Sequence, residues 1–167
     1  MSQSPFTAAV VTLSDKGAAG EREDKSGQII KQMLTEAGYL IEKTLLLPDD
    51  LELIRLTLVC LCERNVNLIV TTGGTGFSKR DVTPEATLAI AHRNAPGIAE
   101  AIRYHSLSIT GKAMLSRGVS VIRGSTLIVN LPGSPKAVKE SLEYILPHLR
   151  HGIEVLTEKS TECGTLG

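Results

Sequence analysis

A glycine-rich loop between an apolar run and a helix start is the feature that most constrains this fold. The apolar residues at 68–70 (LIV) are typical of a buried strand, and they lead into small residues at 71–76 (TTGGTG). Thr83 and Pro84 then have the order of a helix cap followed by proline at the first helical position. Because small residues let backbone N–H groups close around an anion, the segment predicts phosphate binding at the end of a strand.

Apolar runs alternate with amphipathic segments along the rest of the chain. The predicted strands are 7–13, 39–47, 67–72, 119–122 and 126–130. The predicted helices are 27–37 capped by Ser26, 50–63 capped by Asp49 or Asp50, 83–92, 98–108, one from 135 that bends at Pro147, and a final helix to about 156. This order predicts a three-layer α/β/α fold with a mostly parallel central sheet and a small antiparallel edge hairpin. We expect one domain over 1–167, with its core at about 7–156 and a loose tail at 157–167.

Charge and hydropathy exclude several classes of partner. The chain has 18 basic and 18 acidic residues, so its formal net charge of zero argues against nonspecific binding to nucleic acid or to an anionic membrane. No stretch approaches the roughly 20 apolar residues of a membrane span. The first residues show no secretory signal, and we therefore expect a cytoplasmic protein without nucleic-acid or membrane partners.

Four loops leave the carboxyl ends of predicted strands, and ligands of such sheets bind at this edge. Each loop alone also has the composition of an ordinary turn, but together they favour a single site. The candidate ligand-binding residues in these loops are Ser14, Asp15, Thr72, Gly73, Gly74, Thr75, Gly76, Lys79, Arg80, Pro132, Gly133 and Ser134. The loop at 72–81 lacks the Gly-Lys-Ser/Thr of a P-loop, and Lys79 stands where a dinucleotide fingerprint needs its third glycine.

Asp49 and Asp81 are the candidate catalytic carboxylates and the candidate magnesium ligands. Each lies in a loop at the ligand edge, where a carboxylate can hold Mg²⁺ near phosphates or accept from a heterocycle. A helix cap is the alternative role for Asp49, and an ion pair with Lys79 or Arg80, or a loop cap, is the alternative for Asp81. The four histidines form no metal-binding pattern, and no nucleophile with a neighbouring base is evident.

Residues 72–77 (TGGTGF) and 80–87 (RDVTPEAT) resemble the signature of the molybdenum cofactor biosynthesis family, which includes bacterial molybdopterin adenylyltransferase and related domains of plants and animals. Three further pieces agree with this resemblance. They are TLSD at 12–15 with DKSG at 24–27, the Pro48-Asp49 turn, and AMLSR at 113–117 leading to NLPGSP at 130–135. The similarity covers nearly all of the chain, from about 7 to 156.

The resemblance implies a homotrimer that transfers AMP from Mg-ATP to the terminal phosphate of molybdopterin and releases pyrophosphate. It implies that Asp49 and Asp81 act in the site and that residues 73–76 hold phosphates. Ser14, Asp15 and Gly133 would line the nucleotide side, and Ser116 and Ser125 would lie near the pterin. A molybdenum insertase is the implied downstream partner. A noncatalytic molybdopterin carrier stays open as the alternative, and a nucleotide-sugar or cofactor pyrophosphatase is a weaker third hypothesis.

Overall fold

The computed structural model describes residues 4–158, so the predicted tail lies outside the described residues except for 157 and 158. A six-stranded sheet has the spatial order β2-β1-β3-β6-β5-β4. Neighbours among β2, β1, β3 and β6 are parallel, whereas β5 and β4 pair antiparallel at one edge. The strands are β1 (Thr7–Leu13), β2 (Leu40–Leu47), β3 (Leu68–Thr72), β4 (Arg93–Asn94), β5 (Ser120–Arg123) and β6 (Thr126–Leu131).

Helices cover both faces of this sheet and confirm the predicted three-layer fold. They are α1 (Asp15–Ala18), α2 (Lys25–Glu36), α3 (Leu51–Glu63), α4 (Thr83–Ala89), α5 (Pro96–Leu107) and α6 (Pro135–Leu156), with a 3₁₀ helix at Gly111–Leu115. One core packs α2, α5 and α6 on the sheet, and the other packs α3 and α4 on the opposite face. Val10 belongs to the first core and Val11 to the second, because successive strand residues point to opposite faces.

Several predicted helix caps and helix boundaries are wrong. Asp24 caps α2, since its Oδ1 accepts from the N–H of Gly27 at 2.8 Å, whereas Ser26 lies inside the helix. Pro147 lies within α6, which continues through it as one element. The predicted loop at 14–25 contains the single-turn helix α1. Helix α4 ends at Ala89, three residues before the predicted end, and β4 follows.

The register of the parallel strands brings the predicted loops to one edge. Thr72 of β3 pairs with Thr12 of β1 and with Leu131 of β6, and Leu13 pairs with Leu47 of β2. The turns that follow these four strands therefore leave the sheet side by side. Among residues 4–158, no helix is both long and apolar enough to cross a membrane.

Candidate active site

A cleft of about 670 Å³ lies at this carboxyl edge of the sheet. Its walls come from the turns after β1, β2, β3 and β6 and from the start of α2. The predicted site residues that line it are Ser14, Asp49, Thr72, Gly73, Gly74, Asp81 and Gly133. The structure thus brings both candidate carboxylates and the glycine loop into one cavity.

The first two glycines of the loop at 72–76 are required by close backbone approach. Gly73 has φ +91° and Gly74 has φ +67°, a region that favours glycine. A Cβ atom on Gly73 would lie 2.3 Å from the carbonyl oxygen of Leu13. A Cβ atom on Gly74 would lie 2.3 Å from Thr83 Oγ1 and 3.0 Å from Asp49 Oδ1. A larger side chain at position 74 would therefore fill the space in front of the Asp49 carboxylate.

The loop is fixed to the start of α4 by two hydrogen bonds. Thr83 donates its hydroxyl to the carbonyl of Gly73 at 2.9 Å and its N–H to the carbonyl of Gly74 at 3.1 Å. Within residues 4–158, the N–H groups of Gly74 and Gly76 donate to no other residue. Gly74 lines the cleft and Gly76 lies just outside its lining, so these two amides keep donor capacity for an anion.

A buried polar network supports the loop from behind. Asn130 donates to Thr71 Oγ1 at 2.9 Å and to Thr87 Oγ1 at 3.1 Å, and Thr87 donates to the carbonyl of Thr83. Thr72 donates to the carbonyl of Pro132 at 2.6 Å, which joins the loops after β3 and β6. Because these groups are buried and satisfied, they hold the loop in one conformation.

Asp49 has one satisfied and one unsatisfied carboxylate oxygen. Its Oδ2 accepts from the N–H of Asp15 at 3.0 Å, whereas its buried Oδ1 has no hydrogen-bond partner among the described residues. Burial raises the pKa of Asp49, and the nearby charges of Asp15 and Asp81 raise it further, while the bond from Asp15 N–H lowers it. The helix-cap alternative is wrong, because Asp50 caps α3 by accepting from Leu53 N–H at 2.8 Å. An unpaired buried carboxylate oxygen in a cleft is a place for a cation or a donor group of a ligand.

Asp81 lines the same cleft and lies close to Gly76 at the end of the glycine loop. Its Oδ2 accepts from the N–H of Ser78 at 3.0 Å, and a Cβ atom on Gly76 would come within 2.9 Å of the same oxygen. Among residues 4–158, Asp81 forms no ion pair with Lys79 or Arg80, and Arg80 pairs with Asp15 instead. The bond from the N–H of Ser78 is the loop cap that was the other alternative for Asp81. The carboxylate therefore keeps acceptor capacity for a ligand.

Arg80 makes a two-pronged ion pair with Asp15. Its Nε donates to Oδ2 and its Nη2 to Oδ1, both at 2.9 Å. The guanidinium holds the pKa of Asp15 below its usual range, helped by the bond from the Asp49 N–H. The Arg80 side chain is 63% exposed, and the pair lies at the rim of the cleft, next in sequence to the lining residues Ser14 and Asp81.

Some of the remaining predicted residues support the loops around the cleft, and others lie away from it. Ser14 caps α1 and Ser134 caps α6, each through its hydroxyl oxygen. Thr75 is buried in the loop, and Lys79 is exposed on it. Ser116 follows the 3₁₀ helix and accepts weakly from the N–H of Gly118 at 3.4 Å. Ser125 lies in the turn between β5 and β6, at the opposite edge of the sheet, so the structure does not bring it to this cleft.

Two carboxylates facing one cavity fit a magnesium ion that also binds substrate phosphates. Among residues 4–158, no group of three or more His, Cys, Asp or Glu side chains forms a ready-made metal centre. Mg²⁺ is usually held by one or two carboxylates together with phosphates and water, rather than by an all-protein cage. The unpaired Asp49 Oδ1 is the oxygen that such an ion would satisfy.

One wall of the cleft was not predicted from the sequence, namely the wall that precedes and opens α2. Arg22, Glu23, Asp24, Lys25 and Ser26 all line the cleft. Thr12 donates to Asp24 at 2.7 Å, and Ser26 donates to the carbonyl of Gly133 at 2.7 Å, which ties this wall to the sheet edge. This wall could have been predicted from its place in the fold, because a polar loop that follows the carboxyl end of β1 lies at the ligand edge by topology alone.

Comparisons with known proteins agree with this geometry. Residues 9–151 match the model of a family described as a probable molybdopterin binding domain. The chain is 46% identical over 138 residues to molybdopterin adenylyltransferase of Escherichia coli K12, covering 80% of this chain and 70% of that protein. It is 38% identical over 152 residues to molybdopterin adenylyltransferase of Helicobacter pylori J99, covering 88% and 85%. The crystal structure of the molybdopterin biosynthesis enzyme MoaB from Thermus thermophilus superposes with a TM-score of 0.87 at 43% identity, covering 94% and 99%.

Proposed function

Since the chain belongs to the family of molybdopterin-binding domains that these matches define, we propose that it adenylylates molybdopterin. The reaction transfers AMP from ATP to the terminal phosphate of molybdopterin and releases pyrophosphate. The single observation that carries this proposal is the unpaired carboxylate oxygen of Asp49, which faces Asp81 and the glycine loop within one cleft. The single-domain boundary over 1–167 is part of the same proposal.

The cleft has the composition that this reaction needs. None of the described residues that line it is a cysteine or a histidine, and its serines are engaged, with Ser14 as a helix cap and Ser26 as a donor to Gly133. A phosphate oxygen of the pterin can itself attack the α-phosphorus of ATP, so no protein nucleophile is required. Catalysis then rests on positioning and on offsetting negative charge.

Different residues of the chain have different roles in this reaction. The free amides of Gly74 and Gly76 bind phosphate oxygens, and Arg80 at the rim offsets polyphosphate charge. As the pterin oxygen bonds to the α-phosphorus, the bond to the β-phosphate breaks and pyrophosphate carries that electron pair away. Asp49 and Asp81 would hold Mg²⁺, which when bound neutralises phosphate charge. Arg22 and Lys25 on the wall that opens α2 can each meet a second anionic substrate, and Glu23 and Asp24 balance their charge on the same wall.

A noncatalytic carrier is the alternative function, and two measurements separate it from the enzyme. Purified protein with Mg²⁺, ATP and fresh molybdopterin should release pyrophosphate only when both substrates are present. Isothermal titration should detect binding of ATP as well as of the pterin. A protein that binds the pterin, has no affinity for nucleotides and releases no pyrophosphate is a carrier. Hydrolysis of ATP without the pterin would instead indicate the pyrophosphatase.

Exposed apolar side chains support a homotrimer. Tyr104 is 77% exposed and Met114 is 67% exposed, and Leu107, Ile109 and Leu115 lie close to them in sequence with more than 40% exposed. Light scattering on a size-exclusion column should give three times the chain mass of 17.9 kDa. Met114→Glu should lower that mass to one chain, because a charge cannot be buried unpaired at an interface.

The proposal also covers the cellular location of the reaction and the protein that receives its product. We place the reaction in the cytoplasm, where its substrate ATP is made. We also propose that the adenylylated product passes to a molybdenum insertase. Retention of such a protein on the immobilised chain, strengthened by product, would test this partner.

A further inference from the structure

Arg117 ends the AMLSR segment at 113–117 and contacts the glycine loop and its surroundings at four points, although it is not among the candidate site residues predicted from the sequence. Its N–H donates to the carbonyl of Thr75 at 2.8 Å. Its Nε donates to the carbonyl of Gly76 at 2.7 Å, and its Nη2 donates to the carbonyl of Asp81 at 2.8 Å. Its Nη1 forms an ion pair with the carboxylate of Glu85. A planar guanidinium with donors in a fixed fork is the side chain that can span these acceptors together.

These contacts join the two ends of an otherwise exposed segment. The residues between Gly76 and Asp81 are exposed, and Phe77 in particular is 71% exposed, so apolar burial contributes little to fixing the segment. Arg117 binds the carbonyl at each end and, through Glu85, the first turn of α4. Its guanidinium therefore fixes the direction of the backbone from which the Asp81 carboxylate projects.

The position of Arg117 is itself set by α5 and β6. Arg103 donates from Nη1 to the carbonyl of Gly118 at 2.7 Å, and more weakly to that of Ser116 at 3.4 Å. Gly118 is buried, and a Cβ atom added to it would lie 3.3 Å from the carbonyl oxygen of Asn130. The segment that carries Arg117 is thus held on both sides. Because both the backbone around Gly118 and the planar guanidinium of Arg117 are fixed, the position of Arg117 determines the position of the loop.

We propose that Arg117 is a positioning residue that clamps the segment 76–81 and thereby sets Asp81 and the loop amides for phosphate binding. The residue touches no substrate in this account and acts through the loop. Its effect on turnover rests on the proposed function, whereas its effect on the loop does not. Misplacement of a reacting group by about 1 Å can cost about 100-fold in rate.

The loop itself gives the first test, which needs no substrate. Lys79 and Arg80 are exposed cleavage sites for trypsin within the clamped segment. Arg117→Ala should speed cleavage there, and amide hydrogen exchange at 76–81, by about tenfold. Arg123→Ala is the matched control, because Arg123 is also half-buried and donates to a backbone carbonyl, that of Ile90 at 2.8 Å. The control should leave this segment unchanged.

Steady-state kinetics give the second test. Arg117→Ala should lower kcat by about 100-fold while the KM for ATP changes much less, since the clamp acts on alignment more than on the affinity of the cleft. Arg117→Lys keeps the charge but not the fork, so it should resemble the alanine variant more than the wild type. Glu85→Gln, which weakens one of four contacts, should give an intermediate kcat.

The outcomes separate this inference from the proposed function. Wild-type rates of cleavage and exchange in Arg117→Ala, or full activity in Arg117→Lys, would overturn the clamp. Faster exchange in Arg117→Ala, in a protein whose wild type releases no pyrophosphate, would support the clamp and refute the proposed function. If Arg117→Ala does not fold, Arg117→Lys and Glu85→Gln carry the same test.

Discussion

Asp15 and Asp49 exchange hydrogen bonds between two neighbouring turns of the cleft. The N–H of Asp15 donates to Asp49 Oδ2 and the N–H of Asp49 donates to Asp15 Oδ1, each at 3.0 Å. The Asp15 carboxylate accepts three hydrogen bonds, two of them from Arg80, whereas Asp49 Oδ1 has no partner among the described residues. We therefore expect Asp15 to hold Arg80 and the turn in place and Asp49 to face the ligand.

The first prediction is that Asp49→Asn gains stability and loses activity. Burial raises the pKa of Asp49, so the folded state holds a proton more tightly than the unfolded state and the charge opposes folding near pH 7. An asparagine can still accept from Asp15 N–H without that charge. We expect a higher Tm at pH 7 and a kcat at least about 100-fold lower. Asp50→Asn is the control, because asparagine also caps helices and should leave both quantities unchanged.

The pH dependence of this variant follows from the same shift. The advantage of Asp49→Asn should be full above the folded-state pKa of Asp49. It should shrink as pH falls through that value and vanish below the unfolded value of 3.8, where the wild-type carboxyl is protonated in both states. Thermal melts from pH 7 to pH 3 measure this difference. A lower Tm for the variant at pH 7 would contradict the assignment.

The second prediction compares two glycines with similar backbone angles. Gly74 has φ +67° and Gly20 has φ +76°, but a Cβ atom added to Gly20 would meet no described atom within 4 Å. Both alanine variants share the cost of a left-handed residue, about 1 kcal/mol, and Gly74→Ala adds a clash with Thr83 worth about 1–3 kcal/mol more. Denaturant unfolding measures the difference. Activity should be lost only in Gly74→Ala, and equal stability of the two variants would show that the close approach is absent.

A third prediction concerns the ion pair at the rim. The guanidinium of Arg80 lowers the pKa of Asp15, so Arg80→Met should raise that pKa toward its usual value of 3.8. The pair favours folding above the unfolded pKa of Asp15, and this contribution is lost as pH falls through the lowered folded value. Carboxyl NMR titration reads the shift directly. The KM for ATP should rise by about tenfold, because a charge-assisted contact to phosphate is lost.

Arg55→Met is the control for that experiment. Arg55 pairs with Glu52 on the exposed side of α3, outside the cleft. The Arg55→Met substitution should change the pKa of Glu52 and leave the KM for ATP unchanged. An unchanged Asp15 pKa in Arg80→Met would mean that the rim pair does not form in solution.

The fourth prediction is a dependence of turnover on Mg²⁺. Excess chelator should abolish pyrophosphate release, and added Mg²⁺ should restore it, because Asp49 and Asp81 need phosphates to complete the coordination. Asp81→Asn should require more Mg²⁺ for half-maximal rate than the wild type. The Tm of the protein without substrates should not respond to chelator. Full activity in chelator would remove the metal from the proposal.

Local patterns in the sequence predicted the sheet and the ligand edge well. Runs such as 7–13 and 67–72 are apolar on both faces, and this pattern is intrinsic to central parallel strands. The glycine loop could be predicted equally well, because Gly73 and Gly74 adopt positive φ angles that are unfavourable for other residues. Topology then placed the four turns together.

Side-chain partners across long sequence separations were not predictable in the same way. The Arg117 side chain contacts residues 32 to 41 positions away, and no local periodicity specifies which carbonyls a guanidinium will reach. The choice of Asp24 over Ser26 as the α2 cap depends on Thr12, which lies on another element. The separation of Ser125 from the cleft follows from the antiparallel direction of β5, since the turn between β5 and β6 opens at the far edge.

Labelled ATP tests the central claim most directly. With wild-type protein, Mg²⁺ and molybdopterin, label in the α-phosphate should appear in the pterin product and label in the γ-phosphate should appear in pyrophosphate. Neither transfer should occur without molybdopterin, and both should fall at least about 100-fold in Asp49→Asn. Label that leaves ATP without the pterin, or α-label that never joins it, would contradict adenylyl transfer in this cleft.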